Sequence, residues 1–123
     1  MILYPSTRLV CFINKRQIER HGGSDTSPNN LRVEGAIDLF LEIIQVRVFG
    51  TDPFPTLYEK VAALTWKIIT EHPFYDGNKR TGMATALTFL KMNDRQIHVT
   101  EDELVEVALQ IATSTKPALA KMI

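Results

Sequence analysis

The fold is decided by residues 55–90, PTLYEKVAALTWKIITEHPFYDGNKRTGMATALTFL. In the first half, apolar side chains recur every three or four positions, which is typical of a helix with one buried face. Residues 56–59, TLYE, form a capping box that predicts the start of this helix. Pro73 predicts its end near residue 71, because the residue before a proline disfavours helical geometry. A second helix is predicted from about Asn78 to Asn93, with Asn78 as its N-cap. The predicted buried stripes are Leu57, Val61, Leu64 and Ile68, with Ala62, Thr65 and Ile69 beside them, and then Met83, Ala86, Leu87 and Leu90.

The first third of the chain predicts one more helix and a loop. Ser6 or Thr7 caps a helix that runs to about Arg20, and His21-Gly22-Gly23 ends it. Its predicted inward side chains are Leu9, Phe12, Ile13 and Ile18. Residues 22–30, GGSDTSPNN, are turn formers throughout and predict a loop.

Residues 31–48 have helical spacing through Val33, Ile37, Phe40, Leu41, Ile44 and Val48. The second half, residues 43–49, is rich in β-branched side chains and is also compatible with an extended strand. Towards the C-terminus, residues 96–99 suit a brief extended piece, and residues 100–103, TEDE, are another capping box. The helix that follows has the stripe Leu104, Val107, Ala108 and Ile111, and the tail after Ser114 is expected to fray. The predicted fold class is all-α, mainly helical, with at most a short β hairpin or strand pair, in a single domain over residues 1–123.

Composition excludes several functional classes. Fourteen basic and 14 acidic side chains give a formal net charge of zero, so direct DNA binding through a general excess of cations is not expected. The single cysteine, Cys11, has no partner for an internal disulfide and is interpreted as a buried structural thiol. No apolar run reaches the roughly 18 residues of a membrane span. The first residues lack the basic region of a signal peptide, so we expect no membrane association and a cytoplasmic location.

The loop between the two best-predicted helices concentrates ionisable side chains. The first turn of a helix has unpaired N–H groups and a partial positive charge, so it attracts anions. Gly77 allows close approach to the backbone, Asn78 can orient the turn, and Lys79 and Arg80 add two cations. Cations at this end of a helix are unfavourable by roughly 0.3–1 kcal/mol each. Their presence indicates that an anion such as a phosphate binds there.

The first half of the same loop offers a metal ligand and a base. A carboxylate beside a phosphate site is typical of Mg²⁺ binding, which gives Asp76 that role. An imidazole exchanges protons near neutrality, so His72 is a candidate general base for a hydroxyl nucleophile. Phe74 is expected to anchor the loop in the core. These parts suit transfer of a phosphate-containing group, although the chain has no GxxxxGK[ST] phosphate loop.

Each of these residues also has an ordinary structural explanation. A histidine near a helix end is commonly a capping or packing residue, a Lys-Arg pair is commonly solvated, and Asp-Gly commonly forms a turn. The combination favours a functional site, since a plain turn does not require an imidazole, a carboxylate and two cations around a helix start.

Residues 72–82, HPFYDGNKRTG, resemble the signature of the Fic/Doc family, and in particular of its Doc branch, the toxins of Phd–Doc-type toxin–antitoxin pairs. The likeness extends over residues 55–90 and to INKRQIERHGG at residues 13–23, and it is weakest over residues 31–52. The resemblance implies a compact helical bundle. Most Fic enzymes transfer AMP from ATP, using the motif histidine to deprotonate a hydroxyl of the target protein. In Doc, ATP binds in reverse and its γ-phosphate goes to a threonine of elongation factor Tu, which stops translation.

Carried over by position, the resemblance assigns the predicted site residues. His72 would be the base, Asp76 the Mg²⁺ ligand and Phe74 the loop anchor. The nucleotide phosphates would be held by Gly77, Asn78, Lys79 and Arg80. The implied cofactors are ATP and Mg²⁺, and the implied partners are elongation factor Tu as substrate and an antitoxin protein.

Two positions distinguish the branches. The AMP-transferring pattern has glycine where this chain has Lys79, and a second arginine where it has Met83. Both departures favour the kinase. The alternatives that remain are a protein AMP transferase and a non-catalytic Doc-like module that binds an antitoxin or a nucleotide.

Two further segments have open interpretations. Residues 30–35, NLRVEG, loosely resemble the inhibitory motif of some Fic enzymes, but its usual leading Ser or Thr is Asn30 and the arginine that pairs with its glutamate is missing. Glu34 is therefore interpreted as a helix-surface or packing residue. Residues 50–55, with Pro53, Phe54 and Pro55, form either a flap that binds the target by strand addition or a simple surface connection.

Overall fold

The computed structural model describes residues 1–112, in which five helices account for most of the regular structure. They are α1 (Thr7–His21), α2 (Ala36–Ile43), α3 (Leu57–Glu71), α4 (Asn78–Met92) and α5 (Glu101–Ala112). The predicted mainly helical fold class is confirmed. The expected fraying after Ser114 lies outside the described residues. Within residues 1–112, no helix is both long enough and apolar enough to cross a bilayer.

Local capping chemistry sets most helix starts. The Ser6 hydroxyl accepts from the N–H of Leu9 at 3.0 Å, so Ser6 is the cap of α1. The Thr56 hydroxyl accepts from the N–H of Glu59 at 3.1 Å, as the capping box predicted. At α5, the Thr100 hydroxyl accepts from the N–H of Glu103 at 3.2 Å, and the Glu103 carboxylate accepts from the N–H of Thr100 at 3.2 Å.

Helices α3 and α4 pack against each other at the centre of the fold, and the site lies at their junction. Gly82 makes this approach possible. A Cβ atom at Gly82 would lie 2.6 Å from Cγ1 of Ile69 and 3.4 Å from the Thr65 carbonyl oxygen. Helices α1 and α5 pack on α4, and α2 contacts both α1 and α3.

The buried face of α1 differs from the predicted one. Phe12 was expected to face the core, but it is 57% exposed. The buried residues of α1 are Val10, Cys11, Ile13, Asn14 and Ile18. The sequence pattern misled here because the inward stripe contains a polar residue, Asn14, which hydrogen-bonds to α4 and to the loop before it.

The segment 31–48 is less helical than predicted, and α2 covers only eight of its residues. Gly35, at φ 80°, precedes α2 and starts it late, so Val33 lies outside the helix and is exposed. The extended alternative for residues 43–49 is also wrong. Within residues 1–112 the structure contains isolated bridges between Leu31 and Phe74 and between Val48 and Thr51, and no strand; residues 96–99 are irregular.

A buried lysine fastens the irregular segment after α2 to the core. Lys60 of α3 is 3% exposed. Its Nζ donates to the Ile44 carbonyl at 2.8 Å and to Oδ2 of Asp52 at 2.8 Å. These two bonds hold both ends of residues 44–52 against α3. The predicted stripe of α5 is described only at Val107, which is half-buried; Leu104, Ala108 and Ile111 lie outside the described side chains.

Candidate active site

The candidate site is the connection between α3 and α4 together with the first turn of α4. His72 is the C-cap of α3 and has left-handed backbone angles, φ 49° and ψ 62°. Gly77 is the N-cap of α4, also left-handed at φ 77°. The side chains of His72, Asp76, Lys79 and Arg80 are all exposed at this junction. The structure therefore places the predicted base, metal ligand and cations at one junction.

Phe74, the residue expected to anchor the loop, is buried in the main hydrophobic cluster. Its backbone is held by Asn78, whose Oδ1 accepts from the Phe74 N–H at 2.9 Å while its Nδ2 donates to the Phe74 carbonyl at 2.9 Å. The prediction of Asn78 as N-cap is wrong, because Gly77 occupies that position and Asn78 is the first helical residue. The Asn78 amide is buried and engaged by the loop, so the part of Asn78 that suits a phosphate is its backbone N–H.

Gly77 is required by its neighbours as well as by its backbone angles. A Cβ atom there would lie 3.0 Å from Cδ1 of Ile18 and 3.2 Å from Nδ2 of Asn14, both on α1. Together with φ 77°, this contact makes any larger residue unfavourable. The absence of a side chain at Gly77 thus lets the loop pack on α1.

Asp76 is oriented by backbone donors. Its Oδ1 accepts from the Gly77 N–H at 2.9 Å and its Oδ2 accepts from the Ser24 N–H at 3.0 Å. The turn after α1 lies directly against this carboxylate, since a Cβ atom at Gly23 would be 2.7 Å from Oδ2. Each oxygen retains a lone pair towards solvent, because a carboxylate offers about four acceptor sites.

These features fit a magnesium ion that is held largely by its substrate. Residues 1–112 contain no group of three or more His, Cys, Asp or Glu side chains that could form an all-protein metal site. Mg²⁺ usually binds one or two carboxylates and completes its octahedron with phosphate oxygens and water. A single pre-oriented carboxylate beside an anion site matches that requirement.

Two buried asparagines, Asn14 and Asn30, hold the backbone of the loop, although the sequence pattern did not indicate a role for them. Asn14 Nδ2 donates to the Asp76 carbonyl at 2.9 Å and to the Thr81 hydroxyl at 3.0 Å. Asn30 Nδ2 donates to Oδ1 of Asn14 at 3.0 Å and to the Asp76 carbonyl at 3.5 Å, and Asn30 Oδ1 accepts from the Thr26 N–H at 2.9 Å. Asn14, Asn30 and Thr81 are all fully buried. The available signal was Asn14 itself, a strongly polar residue inside an otherwise apolar helix face.

Lys79 and Arg80 occupy the first turn of α4, which contains no acidic residue. Both are exposed, and neither side chain has an ion pair or hydrogen bond with any part of residues 1–112. Two cations at the positive end of a helix repel its partial charge. A bound anion would remove that cost, which supports the predicted phosphate site.

Glu34 lies in the turn that precedes α2, so it is not a helix residue. It is exposed, and within the described chain its carboxylate forms no ion pair with the candidate site. The segment around it contacts the motif through its backbone, since the Arg32 and Val33 N–H groups donate to the Pro73 carbonyl at 2.8 and 3.1 Å. The neighbouring Tyr75 N–H donates to the Asn30 carbonyl at 2.9 Å.

The possible flap at residues 50–55 is anchored at one end and exposed at the other. Phe54 packs partly against the core, and its N–H donates to Oδ1 of Asp52 at 2.9 Å. Pro53 and Pro55 are exposed. Just before them, Val48 and Thr51 exchange backbone hydrogen bonds of 2.8 and 2.9 Å around a tight turn whose tip, Phe49, is fully exposed.

A groove of about 710 Å³ runs along α1 and the following loop, and it borders the motif, since its lining residues Asn14 and Leu31 contact Asp76 and Phe74. Its lining residues are Thr7, Arg8, Cys11, Phe12, Asn14, Lys15, Asp25, Ser27, Asn29 and Leu31. None of them belongs to residues 72–82.

Comparison with known proteins identifies the family of the chain. Residues 4–90 match the Fic/DOC family model, a range that includes α1 to α4 up to Leu90 and the whole candidate site. "Toxin Doc" of Mycolicibacterium smegmatis (strain ATCC 700084 / mc(2)155) is 38% identical over 84 residues, which cover 63% of this chain and 65% of that protein. The match thus spans slightly less than two thirds of the relative. The chain belongs to the Fic/DOC family.

Proposed function

We propose that this protein is a Doc-type toxin, a protein kinase that transfers the γ-phosphate of ATP to a threonine of elongation factor Tu and so inhibits translation in the cytoplasm. The observation that carries the proposal is the uncompensated pair Lys79 and Arg80 at the N-terminus of α4, next to exposed His72 and Asp76. Family membership and the similarity to a protein named Toxin Doc support it.

The chain supplies each part of such a transfer. The backbone N–H groups of the first turn of α4, together with Lys79 and Arg80, hold the nucleotide phosphates. Asp76 holds Mg²⁺, which when bound neutralises phosphate charge. An imidazole nitrogen of His72 takes the proton of the threonine hydroxyl as its oxygen bonds to the γ-phosphorus. The bond from that phosphorus to the β–γ bridging oxygen breaks, and ADP leaves with the electron pair.

Position 83 supports phosphate transfer over AMP transfer. Where the AMP-transferring pattern has a second arginine, this chain has Met83, which is buried in α4. This chain therefore lacks a second arginine side chain that could bind a phosphate. It also has a cation, Lys79, where the AMP-transferring pattern has glycine. The pattern of positive charge differs from the one that AMP transfer uses, so the donated group is expected to be the terminal phosphate.

The proposed partners are the target protein and an antitoxin of the Phd–Doc type. The apolar tip formed by Val48 and Phe49, which precedes Pro53, Phe54 and Pro55, is the proposed docking point for a segment of the target. Target recognition there would combine side-chain burial with a few backbone hydrogen bonds.

The test is a pair of labelling reactions with purified elongation factor Tu and Mg²⁺, one with γ-labelled and one with α-labelled ATP. Transfer of the γ label to a threonine, abolished by EDTA, supports the kinase. Transfer of the α label alone identifies an AMP transferase. No transfer of either label, with growth arrest that persists in Asp76→Ala, identifies a non-catalytic module.

Substitution of the proposed base sharpens that test. His72→Ala should lower the transfer rate about 10²- to 10⁴-fold, since this is the usual effect of losing a general base. The matched control is His98→Ala, because His98 is also exposed but lies outside the site. Equal rates for the wild type and His72→Ala would remove His72 from this role.

A further inference from the structure

Arg32 lies against the backbone of the residue proposed as the base. Its Nε donates to the His72 carbonyl at 2.8 Å and its Nη2 donates to the Glu71 carbonyl at 2.9 Å. Its own N–H donates to the Pro73 carbonyl at 2.8 Å. Arg32 therefore binds three consecutive carbonyl oxygens, those of Glu71, His72 and Pro73, although it lies 40 positions from His72 in sequence.

These carbonyls need a partner because they lie at the C-terminal end of α3 and just beyond it. The last carbonyls of a helix have no intrahelical donor and carry a partial negative charge, which a cation stabilises. His72 also adopts φ 49°, a left-handed conformation that costs a non-glycine residue roughly 1–2 kcal/mol. Glycine is the usual residue at such a helix end. The conformation of His72 is thus one that its surroundings must impose.

Within residues 1–112, the His72 imidazole is held in place only through its own backbone. The His72 side chain is exposed and makes no hydrogen bond or ion pair with residues 1–112. Its direction is set by the backbone that carries it. The backbone there is fixed by Arg32 on one side and by Phe74, which Asn78 holds in the core, on the other.

We infer that Arg32 is a positioning residue for the general base: it holds the left-handed turn at His72 and so aims the imidazole at the substrate hydroxyl. This inference rests on the proposed function. Arg32 acts through His72 and does not touch the substrate. Its contribution is to geometry, where a displacement of about 1 Å can lower a rate about 10²-fold.

A purely structural brace would behave differently in kinetics. If Arg32 only stabilised the fold, Arg32→Ala would lower the melting temperature and leave the folded enzyme with its normal kcat. If Arg32 positions the base, the folded variant has a lower kcat while the KM for ATP stays unchanged. The reason is that the proposed phosphate-binding turn of α4 forms no hydrogen bond with the Arg32 side chain, which binds the Glu71 and His72 carbonyls. The split between kcat and KM therefore separates the two roles.

The experiment compares Arg32→Ala, Arg32→Lys and the control Arg16→Ala, an exposed arginine of α1 that forms no hydrogen bond or ion pair with residues 72–82. Assays run well below each variant's melting temperature. Arg32→Ala should lower kcat about 10- to 100-fold with KM for ATP within about twofold. Arg32→Lys should recover part of the loss, since an ammonium group can donate to one of the two carbonyls. Wild-type kcat in Arg32→Ala, or a change confined to KM, overturns the inference.

A second measurement keeps the test separate from the proposed function. If wild type transfers neither label, the kinase proposal and the AMP-transfer alternative both fail. NMR then decides whether Arg32 fixes the backbone of His72. The HN–Hα coupling constant and the amide exchange rate of His72 should change in Arg32→Ala and stay at the wild-type values in Arg16→Ala. Identical values in wild type and Arg32→Ala overturn the inference whatever the enzyme activity.

Discussion

Replacement of Asn14 by leucine tests the buried amide network behind the site. The leucine side chain is similar in size but provides no hydrogen-bonding atoms. The substitution removes three bonds: those to the Asp76 carbonyl (2.9 Å), to the Thr81 hydroxyl (3.0 Å) and from Asn30 Nδ2 (3.0 Å). At a net value of about 1 kcal/mol for each bond, Asn14→Leu should lower the free energy of unfolding by about 3 kcal/mol.

Urea denaturation measures this loss. Small proteins have m values of about 1–3 kcal/mol/M, so the urea midpoint should fall by about 1–1.5 M at an m value in the upper half of that range. The control is Lys15→Ala, at the neighbouring exposed position, which should change the free energy of unfolding by no more than about 0.5 kcal/mol. A loss below about 1 kcal/mol in Asn14→Leu would refute the network as a source of stability.

A double-mutant cycle isolates one bond of the network. Thr81→Val removes the hydroxyl that accepts from Asn14, and alone it should cost about 1 kcal/mol. The double variant should cost about 1 kcal/mol less than the sum of the two single changes, because both remove the same bond. Strict additivity would show that the Asn14–Thr81 bond contributes nothing measurable.

Three further predictions concern other parts of the fold. Thr85 is fully buried and its hydroxyl has no partner within residues 1–112, so Thr85→Val should stabilise the protein by about 1 kcal/mol, seen as a higher urea midpoint; a lower midpoint would contradict it. Hydrogen bonds from Lys60 and from the Phe54 N–H lower the pKa of Asp52, so Asp52 stabilises the fold above its unfolded pKa of about 4 and this contribution is lost as pH falls through the folded pKa. Asp52→Asn should therefore lower the melting temperature at pH 7 and flatten its decline in acid; equal melting temperatures at pH 7 would contradict this. Burial raises the pKa of the Cys11 thiol, with a further rise from the charge of Asp38, so maleimide should label Cys11 much more slowly in the native protein than in urea; equal labelling rates would refute this.

The helix bounds that the sequence predicted well depend on local chemistry. Thr56 caps α3 through a residue three positions later, and Pro73 ends the same helix through its own ring. α1 and α5 begin in the same local way. Because both partners of each interaction lie within a few residues, the pattern is readable without knowledge of the tertiary structure.

Two of the predictions that were wrong, those for Val33 and Phe12, depend on distant partners. Val33 has helical spacing relative to Ile37, but the backbone N–H groups at Arg32 and Val33 bind the Pro73 carbonyl, so this segment stays out of the helix. Phe12 is apolar and has helical spacing, yet it is exposed because the inward stripe passes through Asn14 instead. Spacing identifies a helical face, but it does not show which polar residue the tertiary structure will bury.

The sequence indicates which ionisable side chains the candidate site contains, but not which residues hold its loop in place. His72, Asp76, Lys79 and Arg80 stand close together in sequence, so their types alone suggested a base, a metal ligand and an anion site. Asn30 and Arg32 act on the same loop from 46 and 40 positions away. They hold the backbone of the loop through tertiary hydrogen bonds, and no pattern of neighbouring residues in the sequence predicts such bonds.

The motif therefore divides into residues that hold the loop and residues left free for chemistry. Phe74, Gly77 and Asn78 are committed to packing and hydrogen bonding within the protein. The ionisable side chains around them are exposed and, apart from Asp76, have no partner among residues 1–112. The backbone of the motif is held mainly by α1 and by residues 23–33. A substitution in residues 23–33 therefore acts directly on the site. The proposed activity should consequently respond to substitutions in residues 23–33, such as Arg32→Ala, with smaller losses than those expected for His72→Ala.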